Sequence, residues 1–200
     1  RAHYSGGRLK VTARTGTRQW SVATNRFNPN HWQFLEFSWS KDKGLSIYIN
    51  NQLVASSRSS TSRARADSET EAGQAPFYLG RGDGMDTRAV YANMTLDDME
   101  YWFGPRDWLL AFDYIQRGRP TRYHFDMDGI RNHRLVHSSM DIPVHGNPRL
   151  VHGRVNNAIQ LDGNSQYIDI GRHSDICLGN PNLCRHGSTS SMWMNFQQFQ

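Results

Sequence analysis

Residues 31–54 carry the clearest pattern in the chain: two alternating apolar runs on either side of a polar turn. In the first, Leu35, Phe37 and Trp39 point one way and Phe34, Glu36 and Ser38 the other. In the second, Leu45, Ile47 and Ile49 face one side and Ser46, Tyr48 and Asn50 the opposite one. Period-two alternation rich in aromatic and β-branched residues predicts half-buried strands. Asp42-Lys43-Gly44 predicts the turn between them. Asn50-Asn51 tolerate positive φ and predict a tight hairpin after the second. The stretch reads as an antiparallel meander with one face in a core. Upstream, Leu9, Val11 and Ala13 alternate with Arg8, Lys10 and Thr12, and Trp20 and Val22 continue the pattern beyond a turn at Thr15-Gly16-Thr17.

Residues 56–75 break the alternation. They are rich in Ser, Thr, Arg and Glu and predict a long solvated loop. A short strand follows at Phe77-Tyr78-Leu79-Gly80, then a loop over 81–86 and a long strand over 90–103. Pro105 at the start, Asp107 in the first turn and Gly118 beyond the end predict a short helix near 106–116. Arg117-Gly118-Arg119-Pro120 reads as a boundary.

Several of these stretches resemble one family. Trp32, the strand ending in Ser38-Trp39, the Gly44 turn and the run from Ile47-Tyr48-Ile49-Asn50-Asn51 to Gln52-Leu53-Val54 are similar to laminin G-like and pentraxin-like modules. Phe77-Tyr78-Leu79-Gly80 and Leu96-Asp97-Asp98-Met99-Glu100-Tyr101-Trp102 are similar to the later strands of such modules. Residues 123–128, 153–163, 167–171 and 189–196 resemble the opening strands. The resemblance implies an all-β fold, an antiparallel jelly-roll β-sandwich of the concanavalin A-like kind. It further implies an extracellular, secreted module that binds proteins, glycans or calcium.

The order of the matching parts is permuted. Residues 1–119 resemble the C-terminal part of one laminin G-like module and 120–200 the N-terminal part of the next. The alternative is a single permuted module over 1–200. A half-sandwich leaves strand edges and an apolar face open. The first arrangement therefore predicts head-to-tail assembly with neighbouring copies or adjoining modules, and a filament. The second predicts that residues 192–196 pack on the meander of the same chain.

Composition adds bounds. The chain has 200 residues, and its six Trp, eight Tyr and nine Phe can build a large core. The net charge of +5 is scattered apart from Arg58, Arg63 and Arg65. Nucleic-acid binding needs a concentrated basic stripe, so no nucleic acid is expected as a partner. No run of 18 apolar residues exists, and no membrane insertion is expected. The opening Arg-Ala-His-Tyr-Ser-Gly-Gly lacks the pattern of a signal peptide, so if the protein is secreted, a mature or internal segment is expected. Cys177 and Cys184 enclose a loop with Gly179 and Pro181 to turn it back. A disulfide across it implies an oxidising compartment, and the alternative is a pair of free thiols.

The candidate chemistry is sparse. Arg81-Gly82-Asp83 is an integrin-type tripeptide, or else a turn in which glycines supply positive φ. The resemblance implies calcium on the sandwich rim, with Asp83 and Asp86 on one loop and Asp162 and Asn164 on another as candidate oxygen ligands. The alternative is ordinary turn residues. His133, His137, His145 and His152 cluster in sequence without the spacing on rigid elements that zinc needs. Asn93-Met94-Thr95 is an N-glycosylation sequon at Asn93. Asp98 and Glu100 stand two apart on one strand, and Asp67, Glu69 and Glu71 alternate in the polar loop. Neither set has the setting of a glycosidase carboxylate pair, and no nucleophile elbow or phosphate loop is present. The expected function is a non-enzymatic structural or adhesive module, with glycans or extracellular matrix proteins as ligands. A carbohydrate-active enzyme or lectin of the same fold is the alternative.

Overall fold

A computed structural model describes residues 2–15, 17–62, 77–83, 89–107, 122–136, 138, 140–173 and 175–197. In chain order, β1 (Ala2–Ser5), β2 (Arg8–Arg14) and β3 (Arg18–Thr24) precede the meander of β4 (Gln33–Ser40), β5 (Gly44–Ile49) and β6 (Gln52–Ser57). Then come β7 (Thr61–Ser62), β8 (Phe77–Leu79), β9 (Arg81–Asp83), β10 (Ala89–Tyr91) and β11 (Asn93–Trp102). The remaining strands are β12 (Arg122–Phe125), β13 (Ile130–Arg131), β14 (Arg134–Leu135), β15 (Val144–His145), β16 (Arg149–His152), β17 (Asn157–Asp162), β18 (Tyr167–Gly171) and β19 (Ser188–Phe196). Arg106 and Asp107 are helical, and the rest of the helix expected near 106–116 lies outside the described residues.

The meander forms as its alternation predicts. Leu35 pairs with Ile49, Phe37 with Ile47 and Trp39 with Leu45. The two-residue turn after β5 has Asn50 at φ 49° and Asn51 at φ 66°, the doubly positive form that matches strand twist. Asn50 Oδ1 accepts the Phe34 amide at 2.9 Å and ties the turn to β4. Gly44 stands at φ 78°, and a Cβ there would lie 2.0 Å from the Ser57 carbonyl oxygen.

One eight-stranded sheet runs β16-β17-β11-β19-β4-β5-β6, with β12 also paired to β11. All pairs are antiparallel. The last described strand, β19, lies between β11 and β4. Met192 stands opposite Leu35 and Trp193 opposite Phe34, while Met194 stands opposite Leu96. Strands from both halves of the chain thus share one sheet. A four-stranded sheet, β1-β2-β3-β7, packs on its inner face. Trp20 of β3 meets Trp39 edge-on at 5.3 Å. Tyr4 and Phe27 pack on Phe196 at 5.4 and 5.8 Å. The faces of Leu35 and Trp39 and of Met192 and Met194, read from the sequence as open, are buried together within this chain. Each such side chain contributes about 1.5–3 kcal/mol by leaving water.

Cys177 and Cys184 form a disulfide with Cα atoms 4.8 Å apart, closing a 3-10 turn at Pro181–Leu183. The Tyr101 hydroxyl donates to the Cys177 carbonyl at 3.2 Å and holds that loop to β11. Burial pushes the Tyr101 phenol up to about 12.

Candidate functional site

A small sheet, β15-β18-β8, builds one corner of the molecule. Val144, Ile168 and Leu79 stand side by side in it and point into the core. Alternation then sends His145, Tyr167 and Tyr78 outward. His145 and Tyr167 are paired in register and stack with centroids 4.3 Å apart and planes 9° from parallel. Tyr78 meets Tyr167 edge-on at 5.3 Å, and Tyr91 of β10 reaches the same ring at 6.2 Å. The Arg81 guanidinium lies over Tyr78 at 4.8 Å and over Tyr167 at 5.0 Å. Rings on two sides of a cation hold it by their quadrupoles and fix its direction.

Beside this corner runs a groove of about 610 Å³ lined by Ile130, Asn132, His133, Val144, Asn147, Pro148 and Leu150. It continues past Arg134, Pro143, His145 and Gly146. The β13–β14 hairpin makes one wall, with Asn132 at φ 51° and His133 at φ 59°. The Val144 amide donates to the His133 carbonyl at 2.8 Å and holds the two walls together. His145 belongs both to the groove and to the stacked pair, so groove and tyrosine corner are continuous.

The outer face of the large sheet is different. Across it Tyr48, Glu36, Ser191, Glu100 and His124 stand in one row of neighbouring strands. The chain after β11 is strapped over this row. Thr189 Oγ1 donates to the Gly104 carbonyl at 2.8 Å, and the Arg106 amide donates to Ser38 Oγ at 2.9 Å. Arg106 Nε donates to both Glu36 oxygens at 3.2 and 3.1 Å, and its guanidinium covers Tyr48 at 4.4 Å. Lys43 pairs with Asp107 at the end of the strap. Glu36, Ser38, Thr189 and Ser191 are consequently buried although they point away from the core.

At the far end of β11 the ladder shifts between Asp97 and Glu100, and Asp98 takes φ 49°. The shift inserts one extra residue into β11 as a β-bulge. Asp98 contacts His124 Nε2 at 3.0 Å. Asp97 is wholly buried. Its Oδ2 accepts the amides of Arg154 at 2.6 Å and Val155 at 3.0 Å. Burial pushes its carboxyl above the usual range, the two amides offset part of this, and the charges of Asp98 and Asp128 add to it. Its Oδ1 is buried without a hydrogen-bond partner.

A laminin G-type family model, described as the concanavalin A-like lectin/glucanases superfamily, matches residues 2–107, more than half of the chain. The chain belongs to that superfamily. This is the family that its motifs resemble, and the antiparallel strands are those of its fold. No curated protein and no solved structure gives a match.

The residues that a laminin G-like reading singled out fall as follows. Gly80 lies against Leu161 and Gln166, so the strands entering the two rim loops adjoin. Asn164 donates its amide to Asp162 Oδ1 at 2.7 Å, in an ordinary side-chain-capped turn. Only the backbone of Asp83 is described, paired with Ala89, and Asp86 lies outside the described residues. Among the described residues no three His, Cys, Asp or Glu side chains converge as a metal site would require. Arg81, Gly82 and Asp83 form β9, with the arginine engaged by tyrosines. His133 and His145 line the groove, His152 Nδ1 contacts the Asn156 carbonyl at 3.2 Å, and His137 lies outside the described residues. Asn93 opens β11 half-buried, opposite Asp162. Arg63, Arg65, Asp67, Glu69 and Glu71 lie outside the described residues. The reading from sequence missed the tyrosine corner, Arg106 and Asp97. Only the outward alternation of Tyr78 and Tyr167 on their strands could have hinted at the corner.

Proposed function

We propose that this chain is an extracellular adhesive module that binds saccharides in the groove beside Tyr167 and performs no catalysis. The observation that carries the reading is the His145 ring at the groove wall, backed by the Tyr167 ring stacked behind it. Saccharide sites combine an aromatic surface for the ring with a few polar groups for its hydroxyls, and Asn132, His133 and Asn147 are placed to supply those. The disulfide and the superfamily support an oxidising, extracellular setting. No helix among the described residues is long and apolar enough to cross a membrane. The non-catalytic part of the reading draws on Glu36, whose carboxylate is held by Arg106 at both oxygens. Calcium enters the reading at Asp97, where the ion would neutralise a buried carboxylate and stiffen the turn at 153–157.

We further read the sandwich as closed within one chain, with residues 122–196 folding onto 2–107. The rival is exchange of that segment between copies, giving head-to-tail order. A glycan array with the full chain and with Tyr167→Ala tests the binding site. Saccharide binding lost in the variant is expected, and binding unchanged in the variant refutes the site. Product release from β-glucans, host glycans or glycosaminoglycans would refute the non-catalytic reading.

A further inference from the structure

We propose that the outward face of the four-stranded sheet is a docking surface for an anionic phospholipid bilayer, which it meets at the headgroups without inserting. This surface is separate from the groove and stands on a different observation.

The observation is where the fold gathers charge. Residues 1–35 contain Arg1, Arg8, Lys10, Arg14, Arg18 and Arg26 and no Asp or Glu. This stretch alone carries more positive charge than the net +5 of the whole chain. Charge asymmetry of that kind points to contact with a membrane or a nucleic acid. Along the sequence these cations are spaced apart, and the strands bring several of them to one side. Leu9 and Val11 of β2 and Trp20 and Val22 of β3 are buried, so alternation turns Arg8, Lys10, Thr12 and Arg14 outward together with Ser21. His3 of β1 stands opposite Lys10 and faces the same way. His3, Arg8, Lys10, Arg14 and Ser21 are exposed. Arg8 and Lys10 form no ion pair with any described residue. The strands of this sheet contain no Asp or Glu that could neutralise its face.

What the face lacks selects the partner. The Tyr and Trp of its strands turn inward: Tyr4 packs on Phe27 and Phe196, and Trp20 on Trp39. Single-stranded nucleic acid needs rings on which bases stack, and a saccharide site needs an aromatic surface for the sugar. Neither is offered here. A bilayer needs only cations within about one Debye length, roughly 10 Å, of its phosphates. A sheet face can bring its outward side chains to such a plane together, whereas the cylinder of a duplex would meet only part of them. Thr12 Oγ1 and Ser21 Oγ, 3.5 Å apart on the same face, add hydroxyls that can donate to phosphate oxygens. None of the large apolar side chains that are exposed belongs to these strands, so contact stays at the headgroups.

Cosedimentation of the full chain with vesicles tests this, using phosphatidylcholine alone and phosphatidylcholine mixed with phosphatidylglycerol or with phosphatidylserine. Both anionic mixtures are expected to bind the chain alike, and phosphatidylcholine alone to leave it in solution. Added salt that shortens the Debye length from about 10 Å to about 3 Å should release it. Arg8→Gln and Lys10→Gln should each weaken partitioning about fivefold, and together about twentyfold or more. Arg8→Lys keeps the charge and should match the parent. Arg185→Gln removes the same charge from an exposed position outside these strands and should leave binding unchanged. All three positions are exposed, so the variants should melt as the parent does. Equal binding to phosphatidylcholine alone, no sedimentation with anionic vesicles at low salt, or a double variant that binds as the parent does overturns the proposal. So does an equal loss in Arg185→Gln, which would reduce the effect to net charge. Tighter binding of polyglutamate, heparin or duplex DNA than of vesicles at equal charge would assign the face to that polyanion and overturn the proposal too.

Discussion

Removing the Arg106 side chain should destabilise the protein without touching its core. Glu36 is 4 % exposed, and its two carboxylate oxygens are held by Arg106 Nε at 3.2 and 3.1 Å. Arg106→Ala leaves a buried charge with no counterion. Breaking a buried pair from one side costs about 3–5 kcal/mol. The Arg106 side chain is itself 18 % exposed, so water relieves part of this and about 3 kcal/mol is the expected cost. Loss of the cation–π contact to Tyr48 is included in that figure. For a chain of this size, each kcal/mol lowers the melting temperature by about 2–4 °C, so a fall of about 6–12 °C is expected. Replacing both partners by apolar residues of similar volume, Glu36→Leu with Arg106→Met, should restore stability to within about 1 kcal/mol of the parent. The coupling between the two sites should then exceed about 2 kcal/mol. Urea unfolding followed by tryptophan fluorescence measures all variants. A cost below about 1 kcal/mol for Arg106→Ala, or a double variant whose cost is the sum of the singles, would refute the view that this pair pins the strap.

Reduction of the Cys177–Cys184 bond should cost about 2.5 kcal/mol from the entropy of so short a loop; two alkylatable thiols in the native protein would contradict the bond itself. Millimolar calcium should raise the melting temperature of the parent but not of Asp97→Asn, which keeps an acceptor for the Arg154 and Val155 amides while losing the charge; an equal rise in both would place the ion elsewhere. Gly44→Ala should lower stability by about 2 kcal/mol or more, because φ 78° and contact with the Ser57 carbonyl both oppose a Cβ; a neutral effect by thermal melt would show that the turn relaxes. Small-angle scattering should give a compact particle of one-chain mass at every concentration, whereas growth of mass with concentration would favour exchange of segments between copies.

The elements legible in the sequence are those built from neighbours. The meander is carried by Leu35, Trp39, Ile47 and Ile49 at period two, and its turn by two asparagines that adopt positive φ. The disulfide closes eight consecutive residues, 177–184, with a glycine and a proline inside. What escaped depends on partners distant along the chain. Glu36 and Arg106 are separated by 70 positions, and nothing local to either marks the pair. Alternation assigns Glu36 to a solvent face, and it is the strap that buries it. Asp97 sits where a register shift interrupts the strand, and periodicity carries no signal of a bulge. Arg81 reads locally as the first residue of a tripeptide. Its environment comes from Tyr78 next to it and Tyr167 across the sheet.

The central place of β19 bears on how fold and site depend on each other. A strand flanked by β4 on one side and β11 on the other cannot be withdrawn without opening two interior edges. Unpaired interior edges expose backbone donors and acceptors that attract other chains. The strands on either side of residues 108–121 therefore act as one structural unit, even though family resemblance assigns them to opposite ends of a module. Reversing the order of two segments leaves a sheet unchanged as long as each strand finds the same neighbours, because pairing and burial are indifferent to the connection between them. The corner site obeys the same logic. Tyr78, Arg81 and Tyr91 come from the segment matched by the family, whereas His133, His145 and Tyr167 come from the other. Neither segment holds the cation and the flat ring pair together. Closing the sandwich is thus the step that brings Arg81 and the stacked ring pair together, and loss of pairing between β18 and β8 would separate them while leaving the meander intact.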